Sequence, residues 1–153
     1  MLWLGLALGC FIVPWISDRM RKRKPPILVG IAMQVAALSL LLYMPSRGAA
    51  LDMVLCFAFG FGNAAHMLAF STAADVVEPT DIGTSAAIVN GTMFIAGGIL
   101  ISRPGMRVGL GLESGIAAGT LELAQYAARP LLVAVSLALL IAWLMRETYP
   151  SQR

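Results

Sequence analysis

Apolar residues along this chain come in unbroken blocks, not in alternation. Charge-free runs cover positions 1–17, 25–46, 53–74, 82–102 and 130–145, against the ~20 apolar residues a helix needs to cross hydrocarbon. Three runs have full spanning length, and the outer two, of 17 and 16 residues, sit at or just under the short end of that range. A membrane barrel would need many ~10-residue segments of alternating polarity, and none is present. The pattern predicts an all-α fold, a polytopic transmembrane helix bundle of about five spans. These are placed at roughly 1–17, 25–46, 53–74, 82–103 and 129–146, in a single domain over 1–153.

Composition agrees. Hydrophobic residues make up 59% and charged residues 12%, where a soluble domain carries about 25% charge, and mean hydropathy is +0.82. The lipid bilayer is the first partner these values imply. A formal charge of +3 does not point to nucleic acid, because the basic residues form one tight cluster plus scattered singles with no aromatic-interleaved face. The opening run lacks cations before its apolar core and carries them after it, which predicts a retained anchor and not a cleaved signal. Cys10 and Cys56 fall inside spans and read as packing residues, and two cysteines make no metal site. No metal and no cofactor is implied.

Five of the eleven Lys and Arg residues occupy Arg19–Lys24. Cationic loops stay on the cytoplasmic side, so this loop is placed inside. Alternation then puts the amino terminus and the 47–52 and 103–129 loops outside, and the 75–81 loop and the carboxyl terminus inside. Seven basic residues lie inside (Arg19, Arg21, Lys22, Arg23, Lys24, Arg146, Arg153) and four outside (Arg47, Arg103, Arg107, Arg129). Pro25 and Pro26 suit a first helical turn. The Gly-rich 103–129 stretch, including "GLGLESG" at 109–115, reads as a long loop with room for a short interfacial helix.

Polar residues within spans need partners, since burying an unpaired amide or imidazole costs several kcal/mol. Phe59, Asn63, His66 and Phe70 follow i, i+4, i+7, i+11 spacing and share one face of an ideal helix. Two readings stand. The face lines a cavity, aromatics gripping a planar or apolar solute while Asn63 and His66 hydrogen-bond it, or the two polar groups bond a neighbouring helix. Gln34 and Asn90 are read as helix-to-helix hydrogen bonds, Gln34 also as a candidate ligand residue. Gly83, Ala87, Gly91, Gly97 and Gly98 would let the fourth span approach a neighbour closely, as Gly60 and Gly62 would the third. No acidic pair and no Ser or Cys with a positioned His marks a catalytic set, so an enzyme is not expected.

The stretch "PWISDRMRKRK" resembles the loop between the second and third helices of each half of major facilitator superfamily transporters: Gly, three residues, Asp-Arg, two residues, a basic pair. Asp18-Arg19 and Lys22-Arg23 match; Pro14 and Arg21 stand where the family has Gly. "CFAFGFGNAAHMLAFSTAADVVEP" resembles the tenth helix, "GTSAAIVNGTMFIAGGILISRPG" the eleventh and "LLIAWLMRETYP" the close of the twelfth. The resemblance covers the whole chain, as helices eight to twelve of twelve. It implies the partial carboxyl-terminal half of that fold, in a cell membrane, the bacterial inner membrane being the expected one. It implies transport of a small solute by alternating access, completed by missing amino-terminal helices or a partner supplying them. In family terms Asp18, Arg19, Lys22 and Arg23 form a gating loop, with Asp18 the carboxylate that makes and breaks contact. The competing reading of the basic side chains is topology fixing and contact with anionic headgroups. The rival for the whole chain is a non-transporting scaffold or assembly subunit.

Overall fold

A computed structural model describes residues 1–44 and 48–150. The described residues are helical with no strand, and five helices are long and apolar enough to cross a membrane. They run α1 (Leu2–Met20), α2 (Lys24–Tyr43), α3 (Ala49–Asn63) continuing through a 3-10 turn at Ala64–His66 into α4 (Met67–Ala74), α5 (Ile82–Glu113) and α6 (Leu121–Leu144). Arg47 and Arg153, counted in the charge bias, lie outside the described residues.

α3 is the centre, packed between α1 and α2; α2 also packs on α6, and α5 leans on α6 and α4. The α1–α3 contact is built on small residues. Gly5, Gly9, Val13 and Ser17 recur every fourth position and are all buried, giving one smooth stripe. A Cβ on Gly5 would run into the Phe57 carbonyl, and one on Gly60 into the Leu2 carbonyl. Gly30 and Gly62 face each other in the same way between α2 and α3. In lipid such close packing of backbones supplies the attraction between helices that water would otherwise provide. The buried core is accordingly small: Val13, Ile27, Ala64, Ala65, Leu68 and Ala142. Cys10 packs against it, and both cysteines are free thiols. Trp3, Phe11, Trp15, Phe94 and Trp143 are exposed, which suits side chains solvated by acyl chains.

Two expectations are corrected. The 103–129 segment is no long loop: α5 continues to Glu113 and α6 begins at Leu121, leaving only 114–120 between them. Arg103 ends an apolar run but not a helix, because charge limits depth in lipid and leaves the hydrogen-bond ladder intact. At 32 residues α5 is about 48 Å long, well over the ~30 Å of hydrocarbon. α6 starts early because Thr120 caps it, accepting from the Leu123 amide at 3.3 Å, with Glu122 in its first turn. The second correction concerns the fourth span's small residues. Gly111 is α5's single buried residue, and a Cβ at Gly83, Gly91, Gly97 or Gly98 would meet nothing within 4 Å. The glycines that let backbones touch are instead those of α1, α2 and α3.

We predict that Gly5→Ala lowers stability of the detergent-solubilised chain by about 1–3 kcal/mol, whereas Gly98→Ala raises it by about 0.5–1 kcal/mol. Thermal or denaturant unfolding followed by circular dichroism distinguishes the two.

Candidate functional site

The end of the bundle carrying the basic cluster is tied by one guanidinium and one carboxylate. α1 closes in a Schellman turn: the Lys22 amide donates to Ser17 O and the Arg21 amide to Asp18 O, both at 3.2 Å. This places Arg21 in the left-handed region, φ 50°, and swings Arg23 back over the helix ends. Arg23 Nη1 donates to Asp18 Oδ1 at 2.7 Å and to Ser17 Oγ at 3.2 Å, and its Nε to Asp75 Oδ2 at 2.9 Å. Its guanidinium carbon lies 4.7 Å from the Tyr149 ring centroid. Ser17, fully buried, donates in turn to Lys22 O at 2.8 Å.

The two acids are not equivalent. The Asp18 side chain is 62% exposed and the Asp75 side chain 12%, so Asp18 contributes what an exposed pair does, roughly 0–1 kcal/mol. Asp75, at the carboxyl end of α4, meets the negative end of that helix dipole and depends more on Arg23. Asp18, where a gating carboxylate was expected, thus shares Arg23 with the more buried Asp75. Arg19 and Lys22 stay exposed, Arg19 with its guanidinium carbon 6.0 Å from the Trp15 centroid. Burial works against the charge on Arg23, but hydrogen bonds to Asp75 and Asp18, and then their charges, outweigh it and raise its pKa above the ordinary arginine value.

Glu147 is the other tie. The first turn of α2 contains Pro25 and Pro26, which have no amide proton, and the Ile27 amide reaches Arg23 O. The Arg23 and Lys24 amides remain, and both donate to Glu147, at 2.7 and 3.2 Å. The Thr148 and Tyr149 amides add two more bonds to the same carboxylate. Partial burial opposes the charge, yet amides from Arg23, Tyr149, Lys24 and Thr148 prevail and lower its pKa from the ordinary 4.5. At the opposite end Gln125 Nε2 caps α2 by donating to Leu42 O at 2.7 Å.

Beneath the Arg23 cluster lies a cavity of about 490 Å³ between α2, the α3–α4 helix and α6. Its wall is mostly apolar, with four hydrogen-bonding side chains: Gln34, His66, Thr72 and Thr148. The hydroxyls of Thr72 and Thr148 are buried and have no protein partner among the described residues. His66 Nδ1 sits 2.6 Å from Asn63 O; a carbonyl only accepts, so Nδ1 carries the proton and a neutral ring keeps Nε2 as an acceptor. A groove of about 1020 Å³ at this end of the bundle, lined by Arg21, Arg23, Asp75 and Glu78 among others, shares Val76 and Thr148 with the cavity wall.

The structure therefore brings Gln34 and His66 together, while Phe59, Asn63 and Phe70 are half-buried and outside that wall. The wall takes Ala65, His66, Ala69, Thr72 and Ala73 from this segment, so of the face expected over 59–70 only His66 reaches it. Asn63 serves through its carbonyl. Neither Asn63 nor His66 hydrogen-bonds another helix among the described residues, nor do the side chains of Gln34 and Asn90, and Asn90 is exposed. Ser17, Asp75, Glu147, Thr72 and Thr148 escaped the sequence reading; the first three flank the basic loop or close a span, a signal available in position though not in pattern.

No family model matches the chain, and neither does any curated protein or solved structure.

Because Glu147's folded pKa is depressed, its stabilising contribution is fully present above pH 4.5 and drains away as pH falls through its lower folded value. Hydrogen exchange at the Lys24 amide should be slow and flat from neutral pH down to about 5 once corrected for intrinsic rate, then accelerate in more acid solution. Glu147→Gln should show fast exchange throughout, with no such acid transition.

Proposed function

We propose that this chain is the carboxyl-terminal portion of a secondary transporter of the major facilitator type, carrying a small solute by alternating access and needing further helices to complete its path. The observation that carries the proposal is the shared wall of groove and cavity. Val76 follows Asp75 and Thr148 follows Glu147 in the chain, so two of the three acids that bind the Arg23 segment flank the boundary between the surface groove and the interior space. With Arg23 on Asp75 the boundary is closed; releasing that pair lets groove and cavity join. Charge-assisted hydrogen bonds of this kind are worth about 1.5–3 kcal/mol, the scale on which a two-state gate is biased by a ligand.

The cavity falls in the 300–1,000 Å³ class of small-molecule sites, at about 490 Å³. Its composition suits a compact, largely apolar solute with one or two polar groups, held by the hydroxyls of Thr72 and Thr148, the Gln34 amide and His66. Arg21 in the left-handed conformation supports the resemblance, because the transporter family places Gly at that position. The unburied face of α5, with Asn90 and Gly91 exposed, is where amino-terminal helices would pack. Cationic loops favour the cytoplasm, which orients the Arg23 end inward and the amino terminus outward. The same α5 face would also serve a scaffold that only binds other helices, and that reading predicts no gating of the cavity.

A thiol placed at Thr72 tests the gate. In a Cys10→Ala, Cys56→Ala background, Thr72→Cys should react slowly with a membrane-impermeant maleimide and many-fold faster when Asp75→Asn is added. Equal rates would remove the gate and leave the scaffold. Reading the coding sequence upstream of Met1 for roughly seven further apolar spans separates the two independently.

Thr72→Val should raise stability by about 1 kcal/mol, since it removes a buried hydroxyl that has no partner. In the complete transporter the same substitution should weaken solute uptake, so a stabilising change that costs activity would mark Thr72 as a ligand-facing group.

A further inference from the structure

At the opposite end of the bundle, α5 and α6 enclose a second space of about 690 Å³ that contains Arg103, Arg107 and Arg129 and no carboxylate. Both salt bridges among the described residues belong to Arg23, so these three guanidinium groups are unpaired by acids there. They are nevertheless arranged. Arg107 Nη1 donates to Tyr126 O at 3.3 Å. The Arg107 and Arg129 guanidinium carbons lie 4.8 and 5.9 Å from the one Tyr126 ring, a polarisable face that lets two like charges share a site. Arg103 is one turn from Arg107 on the same helix and has no hydrogen bond of its own among the described residues.

The depth of the cluster identifies what it fits. Arg103 is 21 residues beyond Ile82, about 32 Å along α5, which matches the ~30 Å hydrocarbon thickness and sets Arg103 at headgroup level. Arg129 lies 15 residues before Leu144, about 22 Å along α6, slightly deeper, with its cationic head drawn toward Tyr126 and the polar boundary. Ile99 and Val133, one turn further into the membrane, continue the wall as apolar surface. Cation above and hydrocarbon below is the complement of a phospholipid: a phosphate with an acyl chain beneath it.

We propose that Arg103, Arg107 and Arg129 form a binding site for an anionic phospholipid between α5 and α6, on the leaflet opposite the basic Arg19–Lys24 loop. Three guanidinium groups against one phosphate favour a headgroup with net negative charge over a zwitterionic one, which brings its own cation to compete. The lipid would also bridge α5 and α6, since both helices line the space. This site does not depend on the transport reading.

Native mass spectrometry of the full chain in detergent, with phosphatidylglycerol or phosphatidylcholine added, tests the proposal. One phosphatidylglycerol should remain bound under conditions that strip phosphatidylcholine. Arg103→Gln, which breaks no side-chain hydrogen bond or ion pair among the described residues, should weaken that binding about fivefold, the value of one cation near an anionic surface. Replacing all three arginines by Gln should abolish it at unchanged helicity. Gln at Arg19, Lys22 and Lys24 should leave it in place, which separates it from general attraction to the basic loop. Retention of equal amounts of the two lipids, or undiminished phosphatidylglycerol binding in the triple arginine variant, would overturn the proposal. So would glycerophosphoglycerol, the headgroup without acyl chains, competing as well as the whole lipid, since that would make the site one for a free anion.

Discussion

A peptide group among lipid tails has no water to fall back on, and most of what holds this chain together follows from that. The cost of an unsatisfied amide or carbonyl in hydrocarbon confines the spans to helices, and it extends to how helices end. α2 shows it at both ends. Two prolines delete amide protons from its first turn, Glu147 takes the two that are left, and Gln125 takes the Leu42 carbonyl at the far end. Gln125 lies near the start of α6 and Glu147 just past its end, so satisfying α2 also ties it to α6 at both ends, in addition to the packing between the two helices.

The same economy explains why so few side chains are buried. With lipid as solvent, apolar burial contributes little to helix association, and the order within the bundle comes from backbone approach at Gly5, Gly60, Gly30 and Gly62 and from polar ties at helix ends. The ties concentrate at one end. Arg23 joins the ends of α1 and α4 through side chains, and its own amide donates to Glu147 in the segment after α6. Both salt bridges among the described residues lie at that end and share Arg23, so its order depends on one side chain.

Number and rough position of the spans were legible because hydropathy over ~20 residues is a strong signal. The ends were less so. Arg103 interrupts an apolar run while the helix carries on through it, and the Thr120 cap with Glu122 in the first turn was the sequence's own notice that α6 begins earlier. Gly5 and Gly9, a Gly-x-x-x-Gly pair, marked the α1–α3 contact in the same readable way, whereas the glycines of α5 carried the same signal and meet no neighbour in this chain. Of the candidate site, Gln34 and His66 were legible as polar groups at mid-span. Their common cavity was not, because it needs the relative placement of α2 and the α3–α4 helix, and Thr148 reaches it from beyond the last helix.

The 3-10 turn in the central helix has a mechanical side. A 3-10 residue rises about 2.0 Å against 1.5 Å in an α-helix, so relaxing Ala64–His66 to α would draw α4 about 1.5 Å up its axis and counter-rotate it, a screw stroke driven by three residues. Asp75 stands at the far end of that segment, bonded to Arg23 at 2.9 Å, so any such shortening of the central helix would pull directly on the surface ion pair.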